Sequence, residues 1–108
     1  MATRKKLGNR KKKQITKDCW DLNYAWLNWL KERLPVYLKD ADRNIDLEFY
    51  KFIGYKGEIL TEKEVVIRMI DLVNWLTSPE VNDWSEEYDK KYKELLHLWS
   101  ISIRALWW

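Results

Sequence analysis

His97 is the only histidine and Cys19 the only cysteine of the chain. They stand far apart and lack the paired spacing that a zinc site or a Cys/His nucleophile needs, so His97 reads as a helix-surface residue and Cys19 as a buried thiol. A lone cysteine also excludes an intramolecular disulfide. The 3 glycines are scattered and cannot form a loop that cradles phosphate. A pair of carboxylates with separated pKa values is the remaining route to catalysis. The densest group, Glu86, Glu87, Asp89 and Glu94, is interleaved with Lys90, Lys91 and Lys93, as on a solvated helix face. The expectation is therefore no catalytic, metal or cofactor residue, and a protein that acts by binding and not as an enzyme.

Two groups of residues are suited to binding. Arg4, Lys5, Lys6, Arg10, Lys11, Lys12, Lys13 and Lys17 put eight of the 20 bases, and none of the 17 acids, into the first 17 positions. Such a segment condenses on a polyanion and releases counterions; having no aromatic residue of its own, it would grip phosphates without reading bases. Nucleic acid, an acidic protein surface and anionic lipid are the candidate polyanions, beside a plain solubilising tail. At the other end, "ALWW" sets Trp107 and Trp108 side by side. Adjacent helical side chains diverge by about 100°, so both cannot face one core. Tryptophan is enriched at interface hot spots, which makes Trp107 and Trp108 the candidate protein-interaction residues, for a protein partner or self-association; the alternative is that both fold back over a shallow groove of their own chain. A third reading is a pocket of Trp and Tyr side chains that stacks a nucleotide-like ligand, with Arg33, Arg43 or Arg68 nearby.

The rest of the chain must position these groups. At 108 residues it fits one domain, and 46% apolar with 34% charged residues is a globular mixture, with an unusual eight tryptophans. The net charge of +3 averages a basic arm and an acidic body, since residues 18–108 hold 12 bases against 17 acids, a net of −5. The longest uncharged stretches, Leu22 to Leu30 and Leu95 to Ile103, are nine residues each, about half of a bilayer span, so no transmembrane segment is expected. No apolar run follows the basic start as in a signal peptide, and an intracellular site is expected: the cytoplasm or a virion.

Apolar periodicity predicts three helices. In "DCWDLNYAWLNWLKERLPVYLKD" the stripe is Leu22, Trp26, Trp29, Leu30, Leu34, Tyr37 and Leu38, with Thr16 or Asp18 as cap and a kink or break at Pro35. Thr61 and Glu64 form a capping box before Val65, Val66, Met69, Ile70, Val73 and Leu76, with Pro79 past the end. Asp83 and Glu86 repeat that spacing before Tyr88, Tyr92, Leu95, Leu96, Trp99, Ile103 and Leu106. Between the first two helices, alternation over Ile45, Leu47 and Phe49 suits one short strand, although "DLEFYKFI" fits a helical turn equally, and a turn at Gly54 and Gly57 closes the segment. Trp26, Trp29, Trp75 and Trp99 are expected in the core, and Trp20 and Trp84 as staples at helix ends. The fold expected is all-α: residues 1–17 a basic flexible arm, and residues 18–108 one helical domain, a small bundle of three main helices with an irregular connection between the first and second.

The segments "DLNYAWLNWLKERLPVYLKD", "LTEKEVVIRMIDLV" and "LLHLWSISIRALWW", in this order, resemble a group of small phage-encoded and prophage proteins without an assigned activity. The likeness spans about residues 18–76 and 86–108. It implies an all-helical fold and a viral origin, and that group's chains often end near a pair like Leu106 and Trp107. This chain differs in carrying Val65 where the group tends to have tryptophan, Leu95 where it has glycine, and Trp108 where it has an acid. The shared motifs are packing motifs, so the resemblance carries over no functional residue.

Overall fold

A computed structural model describes residues 8–107. Its order is α1 (Asn9–Trp20), α2 (Leu22–Asn44), β1 (Lys51–Ile53), β2 (Ile59–Thr61), α3 (Glu62–Leu76), α4 (Glu86–Ser102) and a 3₁₀ turn, Ile103–Ala105. The chain is thus mostly helical, as expected, but with a fourth helix and a two-stranded hairpin that the periodicity did not predict.

Residues 9–17, expected as flexible arm, lie in α1, which contributes no buried residue. Lysine, arginine and glutamine are good helix formers, and local bonds assist: Gln14 Nε2 donates to Asp18 Oδ1 at 2.8 Å, and Thr16 Oγ1 to the Lys12 carbonyl at 2.9 Å. Those bonds also occupy both residues expected to cap the next helix. Asp21 does so instead: its extended backbone (φ −152°, ψ 86°) ends α1, and its carboxylate accepts from the Tyr24 N–H at 3.0 Å.

α2 runs through Pro35 without a break. Proline leaves the Lys31 carbonyl without its helical donor, but both residues lie on the exposed side, where water can take that role. Leu27, Leu30, Leu34 and Ala41 hold the two halves of the helix on one core. That stripe is rotated from the expected one: Leu22 and Trp29 are exposed, and the Arg33 guanidinium lies 4.7 Å from the Trp29 ring centre.

The hairpin lies later than the predicted strand. Its register is Lys51 with Thr61, Phe52 with Leu60 and Ile53 with Ile59; Gly57 supplies the turn's positive φ of 83°. Phe52 and Leu60 pack on the core, while Ile53 and Ile59 face out. Leu47, expected in a strand, is buried from a turn, where its carbonyl accepts from the Lys63 N–H at 3.0 Å. Thr61 ends β2 and caps α3 through the expected box, since Glu64 N–H donates to Thr61 Oγ1 at 3.1 Å and Thr61 N–H to Glu64 Oε1 at 3.0 Å. These bonds hold the Glu64 carboxyl below its ordinary value.

α3 is central, packing on α2, α4 and the hairpin through Val65, Val66, Met69, Leu72, Val73 and Leu76. α4 is capped by Ser85, whose hydroxyl accepts from Tyr88 N–H at 3.1 Å, and not by Asp83. It buries Leu95 and Leu98, while Leu96 of the expected stripe is 43% exposed. Trp26 joins α2 to α4, its ring 6.0 Å from Trp99 and 6.3 Å from Tyr92. Trp75 packs beside the core, but Trp20 and Trp84 are exposed and staple nothing.

Candidate functional site

Of the groups considered for catalysis, His97 and Glu94 are held by hydrogen bonds, and Cys19, Glu86, Glu87 and Asp89 are exposed. Cys19, expected to be buried, is exposed on α1 because that helix has no core contact. His97 Nε2 donates to the Ile53 carbonyl at 2.9 Å, tying α4 to β1, with the Tyr55 ring 5.8 Å away. Glu86, Glu87 and Asp89 fill the exposed first turn of α4. Glu94 is buried and takes a two-pronged bond from Arg68, Nε to Oε2 and Nη2 to Oε1, both at 2.9 Å. These bonds hold the Glu94 carboxyl below its ordinary value against the opposing effect of burial. Among the described residues no group of three or more His, Cys, Asp or Glu could hold a metal ion, and no helix is long and apolar enough to cross a membrane.

The three arginines proposed around a nucleotide pocket do not converge. Arg33 lines a groove between α1 and α2, Arg68 one beside the hairpin, and Arg43 lies exposed in the last turn of α2. Of the basic residues, Arg4, Lys5 and Lys6 lie outside the described residues, whereas Arg10, Lys11, Lys12, Lys13 and Lys17 are all exposed on α1.

Trp108 also lies outside the described residues. The backbone up to it explains where Trp107 goes. The 3₁₀ turn ends α4, with Leu106 N–H donating to the Ile103 carbonyl at 3.3 Å and Trp107 N–H to that of Ala105 at 2.9 Å. Leu106 is thereby packed against the core and Trp107 is turned out, 73% exposed. It borders a pocket of about 470 Å³ with Ile45, Asp46, Phe49, Tyr50, Glu62 and Arg104. Phe49, 71% exposed, and Tyr50 meet edge to face, their centroids 5.1 Å apart.

Glu62 is the unusual member, at only 1% exposure and with Oε1 lacking a hydrogen-bond partner among the described residues. Burial raises its pKa from the ordinary value. Burial, and next the charge of Glu62, pushes the Tyr37 phenol up to about 12; the Tyr37 hydroxyl likewise has no partner among these residues. A raised carboxyl pKa means that the folded state holds this proton more tightly than the unfolded one, so any stabilisation is complete below the unfolded pKa and is lost as pH rises through the folded value. Glu62→Gln, neutral and of the same shape, is therefore expected to raise stability at pH 7 by about 1 kcal/mol and to bring no gain at about pH 3. Urea unfolding at both values checks this; no gain at pH 7 would mean that the carboxylate is well paired.

The Trp107 pocket and the cations of α1 have no lining residue in common. The sequence singles out Trp107 by its position but not Glu62, Phe49 and Tyr50, which border the same pocket: the first reads as an ordinary helix-start acid, the others as strand alternation. No family model, curated protein or solved structure matches the chain, so the reading of this surface stands on its geometry.

Proposed function

We propose that the protein works by binding another protein through the aromatic face around Trp107, with the three helices α2, α3 and α4 as the bundle that carries it. The observation behind this reading is the exposed Trp107 indole beside Phe49 and Tyr50 at a pocket whose wall includes a buried carboxylate with an unpartnered oxygen. Exposed aromatic anchors around a desolvated centre have the make-up of an interface hot spot. A buried carboxylate oxygen without a donor costs the free protein stability that a donor on the partner would return. The partner's complement is an apolar side chain against the rings and, where binding opens the pocket wall to the buried Glu62, a lysine or comparable donor for its carboxylate. A phage origin, with the host cytoplasm or the virion as the place of action, belongs to the same proposal and rests on the sequence resemblance.

A random peptide library selected on the full protein is expected to enrich segments that join a lysine to an aliphatic or aromatic neighbour, and Glu62→Gln is expected to abolish that preference. Equal enrichment by the wild type and E62Q would overturn the proposal for Glu62. Sedimentation across a range of concentrations reports whether a second copy is the partner.

A further inference from the structure

We propose that α1 is a second binding site, separate from the Trp107 face, and that it takes single-stranded nucleic acid: phosphates along Arg10, Lys13 and Lys17, and an unpaired base on Trp20. Phosphate binding by the basic residues was open from their charges alone. What the fold adds is the indole, because the helix that holds the cations continues to Trp20 before Asp21 ends it. At about 100° per residue, Arg10, Lys13, Lys17 and Trp20 fall within roughly 80° of the helix circumference, over about 15 Å of axis. Asp18, the single acid of α1, lies roughly 120° from the middle of that stripe and is bonded to Gln14.

Three of the four side chains, Lys13, Lys17 and Trp20, share one surface, and Arg10 stands outside it at the start of the stripe. A surface depression is lined by α1 alone, through Asn9, Lys12, Lys13, Thr16, Lys17 and Trp20. Trp20 is 83% exposed and has no ring partner among the described residues, and the five cations of α1 form no ion pair among them. A cationic track beside an open indole is the combination that single strands use: backbone charge neutralised along the track, one base stacked on the ring. A duplex keeps its bases stacked on one another and offers the ring nothing.

A membrane surface is the competing polyanion, and the helix phase argues against it. An interfacial helix needs one apolar face opposite its charges. In α1 the apolar side chains do not gather: Ile15 and Trp20 lie roughly 140° apart, and Trp20 stands among the cations instead of opposite them. A twelve-residue helix with no buried residue and five cations also gains directly from a polyanion laid along it, since isolated helices of about that length are marginal in water.

The test is fluorescence anisotropy with the full chain, a labelled single-stranded oligothymidylate of about 20 nucleotides and a duplex of the same length. Wild type is expected to prefer the single strand, and Trp20→Ala to weaken single-strand binding about tenfold while changing duplex binding less than about twofold. Lys13→Gln with Lys17→Gln should weaken both and reduce the single-strand salt slope by about 1.4. Trp20 has no packing role, so the variant stays folded. No binding at low salt would overturn the proposal, as would equal effects of W20A on single strand and duplex. Loss of binding to phosphatidylserine vesicles in W20A, with single-strand affinity unchanged, would assign α1 to membranes.

Discussion

Leu98→Ala is expected to destabilise the protein by about 3 kcal/mol or more, and Leu96→Ala by less than about 1 kcal/mol. Both leucines lie in α4, two residues apart, and hydrophobicity alone does not separate them. Leu98 is fully buried in the core, whereas Leu96 is 43% exposed. Truncating Leu98 opens a cavity walled by helices that are held apart by their other contacts, so the lost transfer energy and the cavity add. Leu96 leaves a gap that water fills. Urea denaturation of both variants measures the difference; equal losses would mean that α4 presents another face to the core.

The second large effect is at the α3–α4 ion pair. Arg68→Ala is expected to cost about 2 kcal/mol at pH 7, below the 3–5 kcal/mol typical of stranding one member of a fully buried pair, because the Arg68 side chain is 42% exposed and the contact is partly screened. Glu94→Gln should cost less, since the stranded guanidinium can turn to water while a stranded buried carboxylate cannot. The direction with pH follows from Glu94, whose folded pKa is depressed by the bond from Arg68. Its contribution is present above the unfolded pKa of about 4.3 and is lost as pH falls through the lower folded value. In Arg68→Ala burial is opposed only by the charges of Lys56 and Lys91, Glu94 takes up its proton more readily, and the penalty should fall to less than about half by pH 3. A pH-independent penalty would show that Arg68 acts through its aliphatic stem and not its charge.

These two sites also mark where local pattern sufficed and where it did not. The start of α3 was readable because its capping box is complete within four residues, Thr61 to Glu64. For α2 and α4 the helical period was right but its phase was displaced: Trp29 and Leu96 stood in for Leu27 and Leu98, because large amphipathic rings sit at the edges of an apolar stripe and pull its apparent centre toward them. Thr16 and Asp18 are by type caps as good as Asp21, but they are spent within α1. A run of cations signals repulsion before it signals helix, so residues 9–17 of α1 read as flexible arm. Glu62 is beyond sequence reasoning altogether, since only the gathering of residues 45–50, Tyr37 of α2 and residues 101–107 around it makes a first-turn acid a buried one.

The central claim, that the protein binds through the face around Trp107, is tested most directly by Trp107→Ala, measured for thermal unfolding and, by isothermal titration calorimetry, for affinity toward a peptide selected on the wild type. Because the indole is exposed, the melting temperature should stay within about 2 °C of wild type, while affinity should fall about 30-fold or more, the scale of losing a tryptophan hot spot. A melting temperature lowered by about 8 °C or more, in a protein that still binds the peptide with wild-type affinity, would contradict the claim and make Trp107 a packing residue.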